Sequence, residues 1–101
     1  MDKEKALELF IETLRNYFKA RGRMIRSLME TAGQDRLSIE LPALYWYYPG
    51  DKVFKKFMDL YRYLIKEYNG VIEVLGEQVK LEKDRIIIPK KLITVMIHEE
   101  R

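Results

Sequence analysis

With 101 residues, 48% of them hydrophobic and 12% aromatic, the chain has material for one domain around one core and is too apolar to stay disordered. The absence of Cys excludes a disulfide framework, a thiolate nucleophile and a thiolate zinc site. No stretch approaches the ~20 apolar residues of a membrane span, and the mixed charges of MDKEKALELF are unlike a secretory leader. A soluble, cytoplasmic protein without membrane contact is expected. Charged residues make up 35% of the chain, mostly Lys, Arg and Glu, with few amides. That balance resembles the composition of thermophile proteins, where ion-pair networks replace thermolabile side chains.

The net charge of +3 conceals a segregation. Residues 13–29 hold Arg15, Lys19, Arg21, Arg23 and Arg26 without an acid, and residues 52–66 hold Lys52, Lys55, Lys56, Arg62 and Lys66 against Asp59 alone. The remainder is net acidic. Gathering like charges on particular elements creates a local field that an even mixture cancels.

In chain order, residues 3–32 predict a helix. Leu7, Phe10, Ile11, Leu14, Tyr17, Phe18, Met24, Ile25, Leu28 and Met29 keep helical spacing, Asp2 is the expected cap, and Ala32-Gly33 the expected stop. Unbroken, such a helix is ~45 Å long, against a radius of gyration of ~13 Å for a chain of this size. Either Gly22 breaks it or its projecting part packs on a second chain; the break is favoured, because Gly costs a helix ~1 kcal/mol relative to Ala. Arg21 falls in phase with the apolar side and needs a partner or a route to water.

Arg36–Leu41 alternates as a half-buried strand. Leu44–Tyr48 is too aromatic for an ordinary loop and is expected as a second strand or an extended packing segment; Tyr45, Trp46, Tyr47 and Tyr48 could stack on nucleobases, but packing in the core is the favoured reading. Asp51, after Pro49-Gly50, is the expected N-cap of an amphipathic helix from Lys52 to Tyr68, which Asn69-Gly70 ends in left-handed backbone. Val71–Leu75 and Gln78–Glu82 predict a hairpin around Gly76-Glu77, and Arg85–Ile88 a further strand. Residues 90–98 fit either a strand or a helix opened by Pro89 that would bury Leu92, Ile93, Met96 and Ile97; the strand is chosen because the run is rich in β-branched side chains and because Lys90-Lys91 at the start and Glu99-Glu100 at the end oppose a helix dipole. The expected fold class is therefore α+β in one domain, 1–101: a long or broken N-terminal helix, a second amphipathic helix and a small antiparallel C-terminal meander.

No motif for catalysis stands out. His98 is the sole histidine, and neither GxxxxGK[ST] nor GxGxxG occurs. A non-enzymatic protein with no metal and no cofactor is expected. The order of amphipathic helix, Asn69-Gly70 and charged hairpin resembles the end of a winged-helix domain, in which the hairpin is the wing and the helix before it lies near DNA. From the basic faces themselves, the expected function is nucleic-acid binding, with Arg15, Lys19, Arg23, Arg26, Lys52, Lys55, Lys56, Arg62 and Lys66 on the phosphate backbone. The alternative expectation is a homodimer or a docking subunit of a larger assembly, served by the excess length and apolar seam of the first helix.

Overall fold

A computed structural model describes residues 3–99; the expected cap Asp2 and the acidic Glu100 lie outside the described residues. Helix α1 (Lys3–Ala32) is continuous over 30 residues, and it runs along a molecule whose longest dimension is 41 Å and whose radius of gyration is 13.0 Å. Glu4 stands in its first turn, where an acid favours the dipole. Gly33, at φ 70°, stops the helix as expected, and Gln34 N–H closes back on the Met29 carbonyl at 2.9 Å.

The expected break at Gly22 does not occur. Gly22 is buried inside the helix, and a Cβ added there would meet Ile97 Cγ1 at 2.9 Å and Phe18 Cβ at 3.2 Å. The residue is small because another helix crosses it. That helix is α4 (Lys90–Glu99), which replaces the strand expected for residues 90–98. Leu92, Ile93 and Met96 follow helical spacing and are fully buried. Their burial against α1 outweighs both the β-branched composition and the unfavourable basic start, since propensity and dipole terms are each a fraction of one buried side chain. Lys90 at that start is also drawn to Glu30 of α1, at 3.7 Å.

Between these helices lie β1 (Arg36–Glu40), α2 (Pro42–Tyr45), α3 (Phe57–Tyr68), β2 (Val71–Val74), β3 (Glu77–Leu81) and β4 (Arg85–Pro89). The four strands form one antiparallel sheet in the order β1-β4-β3-β2, so the fold is α+β. Ile39, Ile72, Val74, Val79, Leu81, Ile86 and Ile88 alternate onto one face and join the apolar sides of α1, α3 and α4 in a single core cluster. The other face carries Ser38, Glu73, Gln78 and Lys80, all exposed. One wet and one dry face is the usual condition of an antiparallel sheet. The expected order of α3 and then a hairpin is present, and the hairpin is half of the sheet.

The hairpin turn falls one residue earlier than expected, on Leu75-Gly76, because both take positive φ (50° and 83°), the backbone a two-residue turn requires between twisted strands. Asn69 and Gly70, at φ 54° and 82°, end α3 as expected. Tyr61 of α3 reaches across to the next turn: its hydroxyl donates to the Glu82 carbonyl, with the Arg85 carbonyl 3.0 Å away. Burial, followed by the charges of Glu82 and Asp84, pushes the phenol well up, so it stays a donor. Among the described residues, no helix is long and apolar enough to cross a membrane.

Candidate nucleic-acid interface

The aromatic stretch is neither strand nor extended segment. Pro42 sits in the first turn of α2, where its fixed φ and missing N–H cost nothing. The chain keeps turning beyond Tyr45, with Tyr47 N–H on the Leu44 carbonyl at 3.0 Å and Tyr48 N–H on the Tyr45 carbonyl at 3.4 Å. Bonds of this i to i+3 kind give about three residues per turn, so the ring-bearing residues divide three ways. Leu44 and Tyr47 face the protein: Leu44 is fully buried, and the Tyr47 ring stands edge-on to Tyr17 at 5.4 Å. Tyr45 and Tyr48 share a second side against Phe57, at 6.2 and 5.8 Å. Trp46 is left on the third side and is 88% exposed. Packing in the core therefore holds for part of the stretch and fails for its largest ring.

Tyr47 also answers the question posed by Arg21. The Arg21 Nε donates to the Tyr47 hydroxyl at 3.3 Å, and Asn16 Nδ2 donates to the Tyr47 carbonyl at 3.1 Å. That hydroxyl and solvent accommodate the exposed guanidinium. Tyr48 donates its hydroxyl to the Phe54 carbonyl; burial first, then the nearby charges of Asp51 and Asp59, push this phenol up to about 12, so it too remains protonated.

Asp51 does not cap α3, which begins five residues later than expected. Its carboxylate accepts the N–H groups of Val53 (2.9 Å) and Phe54 (3.3 Å), and Lys5 approaches it at 3.2 Å. Those N–H groups, Val53 foremost, hold its carboxyl below the usual range. This turn carries the chain to Lys56, the N-cap residue of α3. Asp59 then reaches back to accept the Lys56 N–H at 3.2 Å, which fixes the first turn of the helix. The expected start at Lys52 fails because Asp51 spends its oxygens on a local turn, a standard competitor of helix initiation.

Between the aromatic turn and the start of α3 lies an open cavity of about 610 Å³. Tyr45, Tyr48 and Gly50 form one wall; Lys55, Lys56, Asp59 and Arg62 line the other, over buried Phe57. Three cations thus face one carboxylate that is already engaged by backbone. Of the residues singled out in the sequence, the structure brings together Lys55, Lys56 and Arg62. Lys52 and Lys66 are exposed but outside this lining.

The α1 bases are elsewhere. Arg15, Lys19, Arg23 and Arg26 recur at helical spacing on the side of α1 roughly opposite Tyr17 and Arg21, where Tyr47 docks. Arg26 pairs with Glu30 at 3.3 Å, and Arg15 and Lys19 have interactions of their own. At Arg26 that row shows the i,i+4 ion pair common on surface helices. In the sequence the tyrosines of the cavity wall are weighed as stacking rings and assigned to the core; the signal for their position is Pro42 followed by aromatic residues three apart, the pattern of a short turn that sorts its rings by side. Set against protein-family models, curated proteins and solved structures, the chain matches none of them.

Proposed function

We propose that this protein binds nucleic acid, holding the phosphate backbone in the cavity between the aromatic turn and α3. The observation that carries this reading is the convergence of Lys55, Lys56 and Arg62 on one concave surface walled by Tyr45 and Tyr48. Cations recessed in a groove suit a charged strand that enters it. Contacts to phosphate carry little sequence information, so binding is sequence-tolerant and weakens with salt.

The test is fluorescence anisotropy with labelled oligonucleotides across a salt series. Three phosphate contacts give a slope of log affinity against log salt of about −2 for single strands. Reversing K55E, K56E and R62E together abolishes binding and leaves the circular dichroism spectrum unchanged. Lys19→Glu with Arg23→Glu, on the other side of α1, is the matched control. Equal losses from both sets would mean that overall charge binds the oligonucleotide and the groove does not.

A second reading, self-association, rests on a different observation. Met24 and Leu28, one turn apart on the distal half of α1, are 57% and 62% exposed. A homodimer through that stripe predicts twice the chain mass in light scattering and its loss in Met24→Glu with Leu28→Glu; a monomeric wild type removes it.

A further inference from the structure

We infer that the ligand is a single strand, and that Trp46 stacks on one of its unpaired bases; this rests on the phosphate-binding reading just given. Trp46 is the chain's single tryptophan and, among the described residues, the most exposed large apolar side chain. Its backbone is not free to swing. Tyr45 on one side packs on Phe57, Tyr47 on the other packs on Tyr17 and receives bonds from Asn16 and Arg21, and Trp46 itself lies in helical backbone at φ −65°, ψ −24°. The indole is therefore presented to solvent from an anchored turn, next in sequence to a tyrosine that lines the cationic groove and is itself 47% exposed.

An aromatic face engages another flat ring by stacking. In a duplex each base already has its faces covered by its neighbours and shows only its edges in the grooves. An exposed indole one residue from a wall of the cationic groove is thus matched to unpaired bases, on which stacking is strong and indifferent to sequence. An anionic membrane would also attract tryptophan and lysine, but a flat lipid surface cannot enter a cavity of about 610 Å³ between a turn and a helix, whereas a strand can.

Because there is one tryptophan, its fluorescence reports directly. Titration with oligothymidylate is expected to quench it, while the same strand annealed to oligoadenylate leaves it nearly unchanged. Trp46→Ala is expected to weaken single-strand binding about 5- to 150-fold, the range for one stacked base, with the salt slope kept, and Trp46→Phe to restore most of the affinity. A side chain this exposed contributes little to folding, so an unchanged thermal melt accompanies both variants. Equal, salt-dependent binding of single strand and duplex with Trp46→Ala neutral would overturn the stacking inference and leave phosphate binding standing. No binding of either would end both. A blue shift with phosphatidylglycerol vesicles that exceeds any response to oligothymidylate would assign the surface to a membrane and overturn the inference.

Discussion

The two halves of α1 share one helical period and have different surroundings. From Ala6 to Phe18 the helix buries seven residues, and from there to Ala32 only Gly22 and Met29. The first half meets α3 through Phe10 and Phe57, whose rings stack at 6.3 Å, and meets the aromatic turn through Tyr17. The second half meets α4 at Gly22 and leaves Met24 and Leu28 in water. An apolar period in a sequence thus states which side of a helix is greasy and not how much of it is covered. Coverage is decided by elements that arrive from elsewhere in the chain.

The sharpest way to break the comparison is truncation on each half. Phe10→Ala removes a fully buried ring and is expected to cost about 3–5 kcal/mol, measured by urea unfolding. Leu28→Ala, on the exposed stripe, should stay within about 0.5 kcal/mol. A large cost at Leu28 would show that something covers it in solution and would favour self-association. A smaller effect is expected at the crossing. Gly22→Ala gains about 1 kcal/mol of helix propensity but loses about 1–3 kcal/mol to overpacking against Ile97, for a net loss on the order of 1 kcal/mol. In a double-mutant cycle with Ile97→Ala that loss should vanish; additive losses would mean the backbone crossing, not this side chain, sets the limit.

The smallest effect concerns Asp51, which ties the turn before α3 to Lys5 on the first half. Its carboxyl is held low in the folded chain. The stability it adds is therefore present above the ordinary carboxylate value of about 3.9 and is lost as pH falls through the depressed one. Asp51→Asn should lower the melting temperature at neutral pH, with the gap to wild type closing below about pH 4. A gap constant with pH would show that the amide's shape and not the charge matters.

Local rules served wherever the determinant was local. Gly33 and Asn69-Gly70 stop their helices through positive φ, and Arg36–Glu40 pairs as its alternation implies. They failed where a distant partner intervened. Gly22 reads as a break until Ile97 is seen beside it, and residues 90–98 read as a strand until α1 offers a surface for Leu92, Ile93 and Met96. Asp51 reads as the cap of the helix in the sequence, and only the fold shows that it serves a turn while Asp59 serves α3. The charges of the groove were legible as a cluster at Lys55, Lys56 and Arg62; the wall opposite was not, because Tyr45 and Tyr48 acquire a common side only once Pro42 starts a turn.

The hydroxyl of Tyr61 lends α3 a property that its neighbour Arg62 inherits. By gripping the carbonyls on either side of the bend between β3 and β4, it braces the helix against the sheet as a strut braces a beam. The backbone one residue along, at Arg62, cannot sink or tilt without dragging that bend with it. The backbone that carries Arg62 is thus set before any partner arrives, and what remains to be ordered when one does is the side chain alone.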